Sequence, residues 1–322
     1  MNDVQVSYPV GFTSNLGKKP MSVKLEGIHL VVFRGKKGIE AYEDRCPHRG
    51  APLSAGRVEE GKIVCPYHGW TFGEGGECLK VPGIRSYKSR KGHCVRSFSA
   101  RERYGLIWVG KGEIPEIPQW EKYDCFWMFN ELEGTVANVM ENALDPMHTL
   151  FVHKGWIRWG KPQELKVVIT NEEEKAEAEY FTEQKQKGFI FRTLSLGREV
   201  TSSFGRVMGP NCFQLEYLTS KDDHLLITAF VQPVEEGKVR VYIANLFKTT
   251  FPKWLFMPLA KSLFQVALRQ DEEILRKQHR NLQQFEKSRF VKAKTDCLRS
   301  SIEKILKREK MIPKRYEVIL DV

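Results

Sequence analysis

The chain has 322 residues, of which 28% are charged and 41% are hydrophobic. This is the mixture of a globular protein, and the length is sufficient for two hydrophobic cores. The composition excludes a fibrous or low-complexity chain. We see no signal peptide, since no charged segment followed by an apolar one opens the sequence. The seven cysteines are scattered and odd in number, so we expect a reducing, cytoplasmic location rather than a disulfide framework.

Short β-prone runs separated by turn residues make up the first third of the chain. Such runs lie at 28–34, 62–64 and 105–109, and glycines are frequent between them. A linker rich in glycine and proline follows at 110–118. The pattern predicts a small β domain that ends near residue 114.

Two short clusters of cysteine and histidine lie in this first domain, separated by sixteen residues. Cys46 and His48 form the first cluster, and Cys65 and His68 form the second. A Cys-x-His pair followed by a Cys-x-x-His pair can bind a [2Fe–2S] cluster, with two thiolates on one iron and two imidazoles on the other. The alternative is structural zinc, but zinc fingers usually group cysteine with cysteine and histidine with histidine. We therefore interpret the four residues as ligands of a [2Fe–2S] cluster.

A second group of polar side chains lies between residues 138 and 153. A helix would place Glu141, Asp145 and His148 on one face, because residues three and four apart are neighbours on a helix. Pro146 predicts that this helix is distorted or restarted near Asp145. His148 and His153 are five residues apart, so they need a bent or loosened turn to reach one ion. Two such histidines taken alone are more often packing or surface residues than metal ligands, and this segment leaves both interpretations open.

Longer runs that alternate apolar and polar residues follow in the second part of the chain. They predict strands at 166–170, 176–182, 189–194, 212–218, 225–232 and 239–247, with a hairpin turn at 235–238. Together they predict one antiparallel sheet.

A long helix is predicted at 258–278. Its apolar residues and Gln270 repeat at helical spacing and give an inward face, formed by Leu263, Val266, Ala267, Gln270, Ile274 and Leu275. Asp271 is next to Gln270 and can lie near that face, whereas Glu272 and Glu273 fit a solvated acidic run. The apolar segment 254–268 is shorter than the roughly 20 residues that a membrane span requires. We interpret it as a core helix or subunit contact, with loose membrane association as the lesser alternative.

These motifs resemble those of the Rieske non-haem iron oxygenases, specifically their catalytic α subunits of the short mono-oxygenase and demethylase type. The resemblance rests on the Cys-x-His and Cys-x-x-His pairs and on an Asp-x-x-His-x-x-x-x-His segment formed by Asp145, His148 and His153. It covers nearly the whole chain. It implies an α+β fold, in which an all-β Rieske domain (1–114) precedes a catalytic domain (115–322). The catalytic domain would have the helix-grip (START and Bet v1-like) arrangement, with an antiparallel sheet around a long helix.

The resemblance also implies a second metal site. In this family two histidines and a downstream carboxylate hold a mononuclear Fe(II), and one side of the ion stays open for O₂ and substrate. By resemblance these ligands are His148, His153 and Asp271, since Asp271 is followed by an aliphatic pair and a Gln as in the family pattern. Asn142 would lie close to the iron without binding it, and a helix-surface or capping role is its alternative.

Asp145 has a separate role in the family. By resemblance its carboxylate would bridge His68 of one chain and His148 of the next, accepting a hydrogen bond from each imidazole and orienting both. A ring oligomer follows from this bridge, most simply a homotrimer, in which electrons cross a subunit boundary.

The resemblance implies a terminal oxygenase that works with a partner. Electrons from NAD(P)H would come from a separate reductase, with or without a ferredoxin, because no Gly-x-Gly-x-x-Gly nucleotide motif is visible. The iron would use O₂ as co-substrate to hydroxylate or demethylate a small hydrophobic substrate, aromatic or alicyclic. Ring dihydroxylation and desaturation are the alternatives within the family. An electron-transfer protein whose second domain is a binding module is the alternative of another class.

The net charge of +11 raises the question of nucleic acid, but no nucleic-acid-binding motif accompanies the basic residues. These residues are denser after position 276. We interpret them as a docking surface for an acidic ferredoxin or a reductase's ferredoxin-like domain. An ordinary solvated surface is the alternative for most of these lysines.

Overall fold

The computed structural model describes residues 4–118, 120–157, 164–181, 189–194, 200–219, 224–248, 252–285 and 290–321. The chain divides into two compact units. The first comprises Met1–Ile114 with Gln232–Glu236, and the second comprises Pro115–Val231 with Gly237–Val322. The junction between Ile114 and Pro115 lies within the linker predicted at 110–118. The sequence did not indicate that residues 232–236 group with the first unit.

In the described part of the first unit, short strands form one three-stranded and two four-stranded antiparallel sheets. The strands are β1 (Tyr8–Phe12), β2 (Met21–Leu25), β3 (Ile28–Arg34), β4 (Ile39–Glu43), β5 (Arg57–Glu59), β6 (Lys62–Val64), β7 (Thr71–Phe72), β8 (Cys78–Lys80), β9 (Ser97–Phe98), β10 (Ala100–Arg103) and β11 (Leu106–Val109). Tight turns keep the strands short: between β5 and β6, Glu60 and Gly61 have φ of 49° and 73°, as two-residue hairpin turns require. The predicted all-β first domain is confirmed.

The described part of the second unit contains one eight-stranded sheet, in the order β12-β18-β17-β16-β15-β14-β13-β19. Its strands are β12 (Asp124–Glu133), β13 (Glu164–Asn171), β14 (Ala176–Phe181), β15 (Val200–Gly209), β16 (Cys212–Thr219), β17 (His224–Glu235), β18 (Lys238–Lys248) and β19 (Lys314–Asp321). Its helices are α1 (Val136–Leu144), α2 (His148–Phe151), α3 (Phe189–Leu194), α4 (Lys253–Leu282) and α5 (Arg299–Leu306). The antiparallel sheet and the long late helix were both predicted, and both are confirmed.

Strand alternation gives the eight-stranded sheet two different faces. On β16, Phe213, Leu215 and Tyr217 point to one face and line a cavity, as do Ile227 and Ala229 of the paired β17. Gln214 points to the other face, where its amide donates to the hydroxyl of its cross-strand neighbour Thr228 at 3.2 Å. The period-2 pattern therefore separates a cavity-forming face from a second face that is also buried.

Helix α4 is 30 residues long, which extends the predicted helix at both ends, and it buries one row of apolar residues. Leu263, Ala267 and Leu275 are buried, as expected, but Ile274 is 40% exposed, so its assignment to the inward face was wrong. Among the described residues, no helix combines the length and apolarity that a membrane span needs.

The strand predicted at 189–194 is wrong, because these residues form helix α3. The aromatic and β-branched residues favoured a strand, but tertiary contacts decide the local structure. The backbone N–H groups of Phe189 and Ile190 donate to the carbonyls of Gly155 and Trp156. Ile190 packs with residues of α4 in a small buried cluster. Strands β12, β15 and β19 were not predicted.

Candidate metal centres

The predicted cluster ligands lie on two loops of the first unit that have the same hydrogen-bond pattern. In the first loop, the Cys46 N–H donates to the Ala51 carbonyl and the Gly50 N–H donates back to the Cys46 carbonyl, both at 2.8 Å. In the second loop, the Cys65 N–H donates to the Trp70 carbonyl at 2.8 Å, and the Gly69 N–H donates to the Cys65 carbonyl at 3.2 Å. Each loop thus folds back on its own cysteine.

Both loops reverse direction at a glycine in the left-handed region, with φ of 73° at Gly50 and 69° at Gly69. In both loops a cysteine is followed four residues later by this glycine, with a turn between them. The two loops therefore have matching backbone geometry. Cys46 and Cys65 are each 2% exposed, and the ring centroids of His48 and His68 are 4.6 Å apart. The structure thus brings all four predicted residues together.

The chemistry of this donor set fits a [2Fe–2S] cluster. The Nδ1 atom of His48 is buried and has no hydrogen-bond partner among the described residues, so its lone pair or proton is left for another group. Burial lowers the pKa of His48, and the neighbouring His68 acts in the same direction, which favours the neutral imidazole that binds metal. Burial raises the pKa of the Cys46 thiol to about 11, and the adjacent Cys65 adds to this. A strong positive charge, such as that of bound iron, would stabilise the thiolate form of Cys46 in this position.

The second candidate centre is formed by His148, His153 and Asp271. Ligand atoms of these three residues all lie within 4.8 Å of one another. Asp271 Oδ1 lies 3.1 Å from Nε2 of His153 and 3.6 Å from Nε2 of His148. Two neighbouring ligands at about 2.1 Å from one octahedral ion lie about 3 Å apart. The separations are therefore close to those of a ligand set on one face of an ion, as in the facial triads that bind Fe(II).

The chain breaks between α1 and α2 as Pro146 predicted, and this break positions the histidines. Helix α1 ends at Leu144, and Asp145 has extended ψ of 120°. The Asp145 carboxylate then accepts hydrogen bonds from the backbone N–H groups of Met147 at 2.8 Å and His148 at 3.1 Å. These bonds start the single turn of α2, and the chain bends after it, so that His148 and His153 approach with ring centroids 5.0 Å apart.

A second set of contacts orients the three candidate ligands. Nδ1 of His148 lies 2.5 Å from the main-chain carbonyl of Asp145, and Nδ1 of His153 lies 2.8 Å from Oε1 of Gln270. Both acceptors are oxygens, so each Nδ1 carries the proton and each Nε2 offers its lone pair to an ion. Asn142 donates to Asp271 Oδ1 at 2.8 Å, which places this residue beside the site. The sequence placed Gln270 on the inward face but gave it no role at the site, although it precedes Asp271.

The electrostatics of the site depend on burial and on Asp271. Burial lowers the pKa of His148 despite the charge of Asp271. At His153 burial also acts to lower the pKa, but the hydrogen bond and charge of Asp271 outweigh it and raise the pKa. Burial raises the pKa of Asp145, against the two backbone N–H groups that stabilise its carboxylate. A cation bound between the three ligands would balance the Asp271 charge that His153 now faces.

Two sequence expectations differ from the observed contacts. The carboxylate of Asp145 was expected to accept from the His148 ring, but the main-chain carbonyl of Asp145 is the acceptor, because the carboxylate is engaged with backbone N–H groups. Glu141 was placed on one face with His148, but its carboxylate instead pairs with the Arg299 guanidinium of α5. The break after Leu144 separates the two residues.

A cavity of about 220 Å³ opens beside the second centre. The candidate ligands and Asn142 form part of its wall, and the rest is mainly apolar, including side chains from β16, β17, β18 and α4. Some polar side chains also line the cavity at a distance from the candidate ligands, among them Tyr217, Thr219 and Asn245. The arrangement suits a small, mostly apolar molecule held against the ligand set.

Comparison with protein-family models agrees with this architecture. Residues 6–99 match the Rieske [2Fe-2S] domain, and residues 132–308 match the Vanillate O-demethylase oxygenase C-terminal domain. The second match covers more than half of the chain. The chain therefore belongs to the Rieske oxygenases, with the two-domain architecture of their catalytic subunits and a catalytic domain of the vanillate O-demethylase oxygenase family.

Individual proteins show the same relationship. The chain is 42% identical over 152 residues to the vanillate O-demethylase oxygenase subunit of Pseudomonas sp. strain HR199, an alignment that covers 43% of this chain and 41% of the relative. It is 27% identical over 282 residues to the chloroplastic protein TIC 55 of Pisum sativum, covering 80% and 49% of the two chains. The aligned chain thus spans less than half of either relative. NdmA of Pseudomonas putida CBB5, solved with caffeine, has the same fold, with a TM-score of 0.80, 21% identity and coverage of 94% and 90%.

Proposed function

We propose that this protein is the terminal oxygenase component of a Rieske oxygenase system. The observation that carries the proposal is the pairing, in one chain, of two ligand sets. One is the buried Cys46 and Cys65 with their paired histidines, and the other is His148, His153 and Asp271 in the wall of an apolar cavity. A mononuclear Fe(II) bound by such a triad supplies the activation of O₂.

The protein's own residues would position and shield this chemistry. Gln270 and the Asp145 carbonyl fix the two histidine rings with Nε2 directed at the ion, and Asn142 holds the Asp271 carboxylate. The apolar cavity wall excludes water and holds the substrate against the ligand set. These residues therefore act before any bond of the substrate changes: they orient the ligands of the ion and remove water from around the substrate.

Electrons would come from NAD(P)H through a separate reductase, with or without a ferredoxin. In a homotrimer, Asp145 would carry them between subunits: its carboxylate would accept from His68 of the neighbouring chain, and its main-chain carbonyl accepts from the His148 ring. In this chain the Asp145 carboxylate accepts hydrogen bonds from the backbone N–H groups at the start of α2. These bonds hold it in place next to His148. Each of its oxygens can accept one more hydrogen bond, which leaves room for an imidazole N–H. The cytoplasmic location stays a prediction.

The reaction we favour is hydroxylation or demethylation of a small hydrophobic substrate, aromatic or alicyclic. The relatives support it by their names, which include a vanillate O-demethylase and a dicamba monooxygenase. The apolar cavity of about 220 Å³ is consistent with a substrate of that size. Ring dihydroxylation, desaturation and electron transfer with a binding module are the competing activities.

A single-turnover experiment with ¹⁸O₂ tests the proposal and separates these activities. Reduced protein would be mixed with ¹⁸O₂ and a panel of methoxylated, N-methylated and unsubstituted aromatic compounds, with His148→Ala as the control that lacks the second centre. Hydroxylation or demethylation incorporates one oxygen atom into the immediate hydroxylated product, dihydroxylation incorporates two, and desaturation incorporates none. A wild-type protein that retains a full second centre but gives no more product than His148→Ala for every compound would contradict the proposal.

A further inference from the structure

A basic tract without acidic residues lies in the first unit, at residues 79–96. It contains six lysines and arginines and no aspartate or glutamate; the six are Lys80, Arg85, Lys88, Arg90, Lys91 and Arg96. All of them except Arg96 are exposed. Among the described residues, none of the five exposed ones has an ion-pair partner. The tract therefore carries positive charge that no ion pair among the described residues balances.

The basic tract lies against the loop that carries Cys65 and His68. A Cβ added at Gly69 would lie 3.2 Å from Cγ of Pro82, so the tract packs directly on this loop. Apolar side chains are exposed within the same tract, with Leu79 at 44% and Ile84 at 55% exposed. Exposed apolar residues beside unpaired charges are typical of a surface that meets another protein.

A series of ring contacts connects the basic tract to a candidate cluster ligand. The hydroxyl of Tyr87 is 2.8 Å from Nδ1 of His93, and the His93 ring lies 5.2 Å from Trp70, centroid to centroid. Trp70 in turn stacks on His48 at 4.8 Å with an interplanar angle of 7°. The tract is thus separated from the cluster ligand by one indole ring. Since electron transfer slows steeply with distance, a donor bound here would lie close enough for efficient transfer.

Some of the basic residues after position 276, the region interpreted from the sequence as a docking surface, are neutralised within the chain. Lys277, Lys292 and Lys310 each form an ion pair with a glutamate, so part of their charge is balanced within the chain. The sequence had pointed to this region because of its density of lysines. In the 79–96 tract, by contrast, the five exposed basic residues have no ion-pair partner among the described residues, and the tract packs against the Cys65 loop.

We propose that the basic tract at 79–96 is the docking surface for the electron donor, a protein whose own redox centre is surrounded by acidic residues. The inference rests on the proposed function, because it assumes that the first unit carries a [2Fe–2S] cluster. Attraction between opposite charges would guide the donor to the tract, and the exposed apolar residues would hold it over the Trp70 ring. A donor of opposite charge would then pass one electron past the Trp70 ring to the [2Fe–2S] cluster that His48 would help to hold.

Two matched double variants test the proposal. Lys88→Glu/Lys91→Glu reverses two charges in the tract, and Lys294→Glu/Lys307→Glu reverses two exposed charges in the C-terminal region, with the same change in net charge. Binding of an oxidised, acidic plant-type [2Fe–2S] ferredoxin would be measured by calorimetry at about 20 mM and about 500 mM salt, since salt screens such attraction. Cluster reduction by the reduced ferredoxin would be followed by stopped-flow absorption.

The tract variant should weaken ferredoxin binding and slow cluster reduction by about 10-fold or more at low salt, and the C-terminal variant by less than about 2-fold. The difference should shrink at high salt. Reduction by dithionite should be unchanged in both variants, which shows that the cluster is intact. Equal effects of the two variants, no effect of the tract variant, or wild-type binding that does not depend on salt would overturn the proposal. A wild-type protein that binds the ferredoxin through the tract but lacks mononuclear iron would contradict only the proposed function.

Discussion

The contact between Gln270 and His153 gives a sharp test of how the second centre is built. Gln270 Oε1 accepts the Nδ1–H of His153 at 2.8 Å, and His153 is only 1% exposed. Gln270→Leu keeps a side chain of similar volume but removes the acceptor. The buried N–H of His153 then has no partner, and its ring is no longer held with Nε2 directed at Asp271.

The expected size of this effect follows from the burial of the donor. An unpaired buried donor costs about 1–3 kcal/mol. Loss of an outer hydrogen-bond partner typically lowers metal affinity by about 10–100-fold, which corresponds to about 1.4–2.8 kcal/mol. The first cost is present in both the empty and the metal-bound protein and lowers the free energy of unfolding. The second sets the affinity, so we expect Gln270→Leu to weaken Fe(II) binding by about 10–100-fold.

Anaerobic titration measures this affinity directly. The mononuclear site would be emptied by mild chelation and refilled with Fe(II) in competition with a fluorescent chelator, while visible absorption monitors the [2Fe–2S] cluster. Gln270→Glu is the matched control, because its carboxylate still accepts from Nδ1–H, and it should bind Fe(II) at least as tightly as the wild type. Wild-type affinity in Gln270→Leu, or an equal loss in Gln270→Glu, would refute the orienting role of Gln270.

Three further substitutions test other parts of the molecule. Arg299, with its side chain 11% exposed, pairs with Glu141 of α1 and Glu303 of α5, so Arg299→Met should lower the free energy of unfolding by about 2–3 kcal/mol in urea; an unchanged midpoint and slope would count against this link. Asp145→Asn should keep both metal centres yet greatly slow electron transfer between them, and an unchanged single-turnover rate would remove Asp145 from the path. His148→Ala should lose the mononuclear iron and keep the visible absorption of the cluster; bleaching of the cluster would show that the ligands are divided wrongly.

The sequence predicted those parts of the site that depend on short spacing. Cys46, His48, Cys65 and His68 stand on two loops that repeat one local hydrogen-bond pattern, so the shape of each loop is encoded within a few residues of its cysteine. Pro146 likewise predicted the break after α1, because proline cannot continue a helix there. These features need no knowledge of distant parts of the chain.

Features that depend on long-range packing were not predictable in the same way. Nothing in the spacing of His148 and His153 identifies Asp271 as their neighbour, and only the family resemblance suggested it. The residues 189–194 have the composition of a strand, yet packing of Ile190 on α4 and bonds to the 155–156 carbonyls make them helical. The role of Gln270 depends on its 2.8 Å contact across the site, which a single sequence does not contain.

Metal and acid-labile sulfide analysis, combined with low-temperature EPR of anaerobically purified and dithionite-reduced protein, tests the central claim most directly. We expect about three irons and two sulfides per chain, with the low average g value that histidine ligation gives a [2Fe–2S] cluster. If the protein contains about two irons and added Fe(II) does not raise the number to three, it has no second centre and is an electron-transfer protein. Zinc without sulfide would contradict the account at its foundation, because both the cluster and the oxygenase chemistry depend on iron.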